Sequence, residues 1–538
     1  MKLNLRRQDA AGVWFGAFSA KWSRFLHPYP PFHAPVDFLW TLSASQRLSA
    51  HSATLAALHQ RYGERYRWLL LLSVMLGTMA SIMSSTIINV AIPDMGQHFV
   101  MSPTRAQWVS SGFMVAMTVS MLTTPWLLAR YGYRRTYSAS MWVLLLGGIG
   151  GGLANDFSWV LTARVAEGLA AGVVQPIPAI IILRVFGAGE QGRAGSFFGT
   201  GVVLAPAVGP SIGGLLVDAF GWRSIFFMVV PLAMASLWMA RKYVPTTAPG
   251  GQAPNRQGAG LDGWGLLLAT VSTLCLLNGL VSLREAGWGA AHAWSLLAVA
   301  AVGLVAFVAW QHRLLHRPLA SGVSPLMNLS VFRHRAFAMG SLVAFIYGAG
   351  LFGSTYLLPL YMQQGMGWSA SYTGTALLPA GLMLALTIAL TGRLSDRKPT
   401  YVLVCSGLAL LAASFALMAT LQVQSSIWWL TAWVILGRVG LGLILPSLNT
   451  GSLRGLAHAL IPQGSSVINF MRMLGGASGV SLCAIVLQWR LAVHGVSLAS
   501  NDQAVLRLQA FNETFVFLAA LMALAMLAAW QLKTDKTD

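Results

Sequence analysis

Charge is scarce in this sequence, and negative charge scarcest: Asp and Glu number 15 among 538 residues, and charged side chains of both signs make up 9%. A soluble domain carries roughly 25%, so a chain that is 56% hydrophobic does not take water as its main solvent. Cysteine is rarer still. Cys275, Cys405 and Cys483 each sit inside an apolar run, which argues against a disulfide framework or a thiolate metal centre. No ATP-binding loop, no nucleophile with a paired base and no soluble catalytic domain occurs, so the chain does not read as an enzyme, and neither cofactor nor metal is expected. Bases are in excess, 35 Lys and Arg for a net charge of +20. In a soluble protein that would suggest nucleic acid; here the positions of the bases decide otherwise.

A bilayer core about 30 Å thick takes about 20 apolar residues per helix. Windows of that length, bounded by Gly, Pro and charged clusters, give fourteen spans: Trp68–Ile92, Gln107–Leu128, Tyr137–Leu153, Trp159–Ile182, Gly195–Val217, Ile225–Met239, Gly265–Leu283, Trp294–Trp310, Phe337–Tyr361, Tyr372–Leu390, Tyr401–Leu421, Trp428–Leu448, Ser466–Leu487 and Phe511–Leu532. With the N-terminus in the cytoplasm, twenty-seven Lys and Arg fall on inner segments, five on outer loops (Arg105, Arg223, Arg284, Arg490, Arg507) and three within spans (Arg164, Arg438, Arg472). One missed or invented helix would invert every later loop, so the asymmetry supports the count and puts both termini in the cytoplasm. The basic balance is then topology, and nucleic acid is not an expected partner.

Residues 1–67 read as a basic, Pro-rich cytoplasmic extension without a signal-peptide core and cleavage site. Trp14, Phe15, Phe18, Trp22 and Phe25 among Lys21 and Arg24 fit either a helix adsorbed on membrane lipid or a disordered tail. Residues 68–240 hold six spans, 241–264 a flexible Gly/Pro/polar linker, 265–310 a further pair, 311–336 a basic cytoplasmic loop, 337–532 six more spans and 533–538 a tail. The fold expected is all-α and polytopic: two six-helix bundles plus an inserted helix pair. A secondary transporter of duplicated halves is built this way, with its site between the halves near the bilayer midplane.

The string "GVVLAPAVGPSIGGLLVD" places Gly201, Pro206, Gly209, Pro210, Gly213 and Gly214 on the fifth span, small residues for close helix approach and imino acids for a kink. Together with "STIINVAIPDM", "GWRSIFFMVVP", "LDGWGLLLATVSTL", "SPLMNLSVFRHRAFAMGSL", "GTALLPAGL", "GRVGLGLILPSL" and "INFMRMLGGASGV", it resembles the fourteen-helix drug:proton antiporters of the major facilitator superfamily, the EmrB/QacA-like multidrug exporters. The resemblance covers essentially everything after Trp68. It implies a multi-pass protein of the cell (inner) membrane that exports a lipophilic small-molecule substrate against protons by alternating access. In a cell with two membranes it also implies a periplasmic adaptor and an outer-membrane channel.

Arg164 and Glu167 lie one helical turn apart in the otherwise apolar fourth span. A charge within a span costs about 2.5–3.5 kcal/mol even on insertion scales, and at this spacing the two side chains share a face. They form either a neutralised structural pair or a proton-coupling site in which Glu167 gains and loses a proton. The resembled family commonly carries Asp in the first span where this chain has Ser84, so Glu167 is the carboxylate left deep inside a span. Thr86, Asn89, Gln175, Arg438 and Arg472 are the other polar candidates for the cavity. The two arginines either hold an anionic group or bond to backbone carbonyls.

The hairpin "PWLLARYGYRR" keeps Arg130, Gly132, Arg134 and Arg135 of the family's cytoplasmic gate but has Ala129 in place of its Asp; "GRLSDRK" keeps Gly392, Asp396 and Arg397. The gate is therefore expected to lean on Asp396. "GGIGGG", Gly147 to Gly152, has no strand before it and reads as helix packing rather than a dinucleotide loop. His312, His316 and His334 interleave with arginines that oppose a metal ion. The alternative to proton-coupled drug efflux is a weakly coupled or uncoupled exporter of a lipid or metabolite, after loss of the acids at Ser84 and Ala129. A transport-dead receptor or scaffold using the N-terminal extension is a third reading.

Overall fold

Side chains that are apolar on every face leave a helix no option but to be surrounded, by other helices or by lipid. The computed structural model describes residues 55–249, 251–316, 322–498 and 503–533. Among them, α1 is Arg65–His98. α2 is Trp108–Ser120, carried on through a tight turn at Met121–Thr123 to residue 131, and α3 is 133–152. α4 is Phe157–Val174 continued by Ile177–Val185, α5 Gln191–Phe220 and α6 Ser224–Tyr243. α7 is Gly263–Ala286 and α8 Ala291–His316. α9 is Arg335–Leu360, α10 Ala370–Ser395, α11 Thr400–Met418, α12 Ile427–Arg454, α13 Ile461–Val493 and α14 Ala504–Trp530.

Length and apolarity alone mark 12 crossing stretches. The stretch Trp108–Gly152 is two helices folded back at Gly132, whose φ of 77° breaks the α-helix, and α5 completes the fourteen. Helix ends follow local chemistry. Asp156, Asp262 and Ser369 cap α4, α7 and α10 by accepting backbone N–H groups, and Gly221 and Gly287, at φ 75° and 73°, close α5 and α7.

The two halves repeat one packing scheme. α1 lies on α5 and α6, α2 on α4, and α3 on α4 and α6; in the same order α9 lies on α13 and α14, α10 on α12, and α11 on α12 and α14. The seams between the halves obey the same two-fold relation, α5 with α10 and α2 with α13. α7 touches both α2 and α13, and α8 packs on α7, so the inserted pair covers one seam. The start of α1, through Arg67 to Glu190 and Tyr66 to Tyr243 O, lies at the end of the bundle that also carries Arg134, bonded to Val244 O, and Arg454, bonded to Ala188 O; we call it the basic end.

The linker expected to be flexible is bonded. Tyr133 and Arg134 donate backbone N–H groups to the carbonyls of Thr247 and Pro245 at 2.9 and 3.0 Å, and Asn255 N–H reaches Ala129 O at 3.1 Å. Gly260–Leu261 and Val323–Ser324 pair as two short parallel strands. Gly/Pro composition signals irregular backbone, but irregular backbone is immobilised when a neighbouring turn offers unpaired N–H groups, as the hairpin at Gly132 does. Asp262 is buried and accepts from Gly265 N–H (2.8 Å), Trp310 Nε1 (2.9 Å) and Gln311 Nε2 (2.6 Å), while Gln311 Oε1 accepts Met327 N–H at 3.2 Å. One carboxylate thereby ties α7, α8 and the chain leading to α9. The expected extension lies, up to residue 54, outside the described residues.

Candidate functional site

Arg164 and Glu167 are each 1% exposed, on the face of α4 turned toward α1, α2 and α3. Arg164 Nη1 is ion-paired to Glu167 Oε2. Ser84 of α1 stands between them: its Oγ accepts from Arg164 Nη1 at 2.6 Å and donates to Glu167 Oε2 at 3.0 Å. Arg164 also donates to the carbonyls of Ser84 (3.1 Å) and Val109 (3.3 Å), and its guanidinium lies over the Phe113 ring, 4.2 Å from the centroid. One cation thus binds α4 to α1 and α2. Glu167 Oε1, in contrast, is buried without a hydrogen-bond partner among the described residues. Its surroundings are glycine: a Cβ at Gly147 of α3 would lie 2.6 Å from Glu167 Cγ, and one at Gly148 would lie 3.5 Å from Oε1. The "GGIGGG" run is packing: Gly147 and Gly148 make room for this carboxylate, while Gly151 and Gly152 lie against the rings of Phe226 and Phe227.

Of the other polar candidates, Thr86 bonds back to the carbonyls of Ile82 and Met83 on α1, and Asn89 of α1 is exposed. Gln175, where α4 breaks, lines a cavity of about 50 Å³ between the halves with Phe198, Asn449, Asn469 and Arg472. Arg472 donates to Asn469 Oδ1 at 2.6 Å. Arg438, one turn before the middle of α12, has no hydrogen bond to protein and no ion pair among the described residues; it and Arg472 share Tyr347 of α9 as electrostatic neighbour. Among the described residues neither arginine is bonded to a backbone carbonyl.

The glycines of the fifth-span motif press α5 onto α1. A Cβ at Gly201 would lie 2.5 Å from Met75 Sδ and one at Gly209 would lie 3.3 Å from Thr86 Oγ1; one at Gly213 would strike Ile87, while Gly214 faces open space. α5 continues as a helix through Pro206 and Pro210, whose side chains lie outside the described residues.

At the basic end the halves are joined by hydrogen bonds. Asp396 accepts backbone N–H groups of Gly192 (2.7 Å) and Arg193 (3.1 Å) in the first turn of α5, Arg454 Nη2 reaches Ala188 O at 3.3 Å, Arg184 reaches the carbonyl of His458, and Ser465 Oγ reaches Pro176 O at 2.8 Å. Gly192 and Gly392 face each other so closely that a Cβ on Gly192 would lie 2.5 Å from Gly392 O. The first-half hairpin takes no direct part in this junction. Arg130 and Arg134 donate to the linker carbonyls of Gly258 and Val244, and Arg135 and Arg397 are exposed.

Glu513, ten residues into α14, accepts from Arg490 Nε and Nη2 at 2.5 and 2.7 Å and lies 3.0 Å from His494 Nε2. Arg490, expected in an outer loop, is instead in the last turn of α13, and its i,i+4 spacing with His494 was the available signal.

These features, a duplicated bundle closed at one end around a small cavity, belong to a known architecture. The sequence model of the Major Facilitator Superfamily matches residues 74–480. The chain belongs to that superfamily. Among curated relatives of this transporter, the multidrug export protein EmrB of Haemophilus influenzae is 28% identical over 435 residues, covering 80% of this chain and 83% of its own. The tetracenomycin C resistance and export protein of Streptomyces glaucescens is 27% identical over 425 residues, 79% of this chain and 76% of its own. The solved structure of the proton:xylose symporter XylE superposes with a TM-score of 0.61 at 12% identity, over 87% of this chain and 96% of that one; at that identity the likeness concerns the fold alone.

Proposed function

We propose that this superfamily transporter exports lipophilic small molecules in exchange for protons, with Glu167 as the proton carrier and Arg164 as its counter-charge. The basic end then faces the cytoplasm, as the distribution of Lys and Arg favours, and both ends of the chain lie on that side of the cell membrane. Relatives named for multidrug export and for antibiotic resistance support the cargo class. The observation that carries the coupling is the asymmetry of the Glu167 carboxylate: Oε2 is held by Arg164 and Ser84, whereas Oε1 is buried and unpartnered. An unpaired buried oxygen is costly as an anion and ready to take a proton.

With Glu167 ionised, Arg164 is neutralised and its bonds clamp α4 to α1 and α2. A proton on Oε1 removes the counter-charge, and Arg164 becomes an uncompensated cation whose best arrangement differs. Proton and cargo exchange because each binds the two arrangements unequally. The basic-end junction through Asp396 is the part that opens when the transporter turns to the cytoplasm. The cavity fits this cycle: about 50 Å³ is far below the roughly 300–1,000 Å³ of a small-molecule pocket, so the site has to widen before cargo enters.

The test is gradient-driven efflux from inverted vesicles, comparing wild type with Glu167→Gln at matched expression. The expected outcome is loss of driven transport with cargo binding retained. Transport that collapses with an uncoupler yet survives Glu167→Gln removes Glu167 from the coupling role. Insensitivity of wild type to an uncoupler supports the uncoupled metabolite or lipid exporter instead.

A further inference from the structure

The interior of the two bundles is not electrically balanced. Arg164 is matched by Glu167, but Arg438 of α12 and Arg472 of α13 meet no carboxylate among the described residues. Both sit near the middle of their helices, in the half that faces α4 and α5 across the cavity. Both are partly exposed, and both neighbour the buried Tyr347. Arg472 lines the cavity itself. Asn469 fixes its orientation, because Asn469 Nδ2 donates back to Ser465 O at 2.9 Å while its Oδ1 accepts Arg472 Nη2 at 2.6 Å. A guanidinium has five N–H donors, so among the described residues most of those on Arg472 and all of those on Arg438 are without a protein acceptor. Two such cations at membrane depth call for partners, and none is supplied by the described residues.

We infer that Arg438 and Arg472 form a recognition site for an acidic group on the cargo, and that the transporter prefers amphipathic organic anions, aromatic or aliphatic bodies bearing a carboxylate, sulfonate or phosphate. This deepens the export reading above and rests on it for transport but not for binding. A guanidinium offers a carboxylate two parallel N–H donors, a geometry that an ammonium cannot match. The remaining cavity walls suit such a cargo, since Ala179, Ile182, Leu183, Phe198 and Val202 face the apolar body while Gln175 and Asn449 are neutral. Among the described residues no carboxylate lines the cavity, so a lipophilic cation finds the like charge of Arg472 and no counter-ion. An anion leaving the cell in one-for-one exchange for an entering proton moves two charges in the favourable direction of an inside-negative potential, whereas exchange of a monovalent cation for a proton moves none. Anion export is therefore expected to follow membrane potential strongly.

Two fluorophores with one aromatic body and opposite charge serve as probes: dansylglycine, a carboxylate, and dansylcadaverine, an ammonium. Binding to the purified full-length protein is measured for wild type, Arg438→Gln, Arg472→Gln, the double substitution and the Lys variants at both positions. Wild type is expected to favour dansylglycine, the double Gln variant to lose about tenfold or more of that affinity with little change for dansylcadaverine, and Lys to restore only part. A melting temperature near wild type for at least one Gln variant separates loss of a site from loss of the fold. Equal affinity for the two probes in wild type, or dansylglycine binding unchanged in a folded double variant, overturns the inference. Efflux from inverted vesicles is read separately: gradient-driven export of dansylcadaverine without dansylglycine binding sinks the anion site and leaves the export reading standing. Selective dansylglycine binding with no driven movement of either probe keeps the anion site and sinks the export reading.

Discussion

Ser84 Oγ lies 3.0 Å from Glu167 Oε2, a hydroxyl of α1 donating to the buried carboxylate of α4. The resembled exporters commonly carry an acid at the Ser84 position; under the role proposed for Glu167, the carboxylate stands instead across the helix interface, on α4, paired with Arg164. Ser84→Ala removes a donor to Glu167 and an acceptor from Arg164, and is expected to destabilise the protein by about 1–3 kcal/mol, read from chemical unfolding in detergent. Ser84→Asp should restore gradient-driven efflux to a Glu167→Gln background, since a carboxylate at either place can neutralise Arg164. Failure of Asp at this position to rescue a folded double variant means that the carboxylate's place on α4, and not only its charge, is required.

A double-mutant cycle on Arg164 and Glu167 tests whether they act as one unit. Each is 1% exposed, and breaking a buried ion pair from one side costs about 3–5 kcal/mol because a lone charge stays behind. Arg164→Met and Glu167→Leu are each expected to cost that much, and the two together less than either alone. Additive losses in unfolding free energy are the outcome that would separate the pair into independent residues.

The inserted helix pair depends on Asp262. Its carboxylate accepts the cap of α7 and two side chains of α8, so Asp262→Ala leaves three donors without their partner at a buried position. The expected loss is about 2–4 kcal/mol, with faster proteolysis between α6 and α9 and an intact pair of six-helix bundles. Retention of full protease resistance in Asp262→Ala would show that lipid or α13 alone secures the pair.

The number of helices, their duplicated order and the buried pair were legible in the sequence, for physical reasons. A span needs its own run of apolar side chains, and two charges in one such run at a spacing of three have only each other as neighbours on that helix. What was hidden required the third dimension. Nothing in the linear pattern assigns Gly147 and Gly148 to the socket of Glu167, because glycine in a membrane helix marks close approach without naming the neighbour. The linker looked mobile because its order comes from the hairpin at Gly132, more than 100 residues earlier. Glu513 escaped because hydropathy windows place an acid near a span edge in water, whereas α14 begins at Ala504 and Arg490 lies on the facing helix. The two arginines of α12 and α13 could be located but not interpreted until their lack of acceptors was visible.

The basic-end junction makes the sharpest prediction about conformation. Asp396 holds the first turn of α5 through two backbone N–H groups, a carboxylate at a helix N-terminus being favoured by both hydrogen bonds and the local dipole. Bonds of this charged kind are worth roughly 1.5–3 kcal/mol each, so Asp396→Ala should shift the closed-to-open ratio at this end by about tenfold or more. Gly192→Val acts by a different route, since a Cβ there would already lie 2.5 Å from Gly392 O and the helices could not come together. Both variants are expected to expose residue 175, at the break in α4 beside the cavity. Labelling of Gln175→Cys by a water-soluble maleimide, in a background with Cys275, Cys405 and Cys483 replaced, measures this from the basic end. Faster labelling in both variants identifies the junction as the gate. Unchanged labelling in Gly192→Val, where closure is sterically barred, would mean that access to the cavity is controlled elsewhere along the α5–α10 seam.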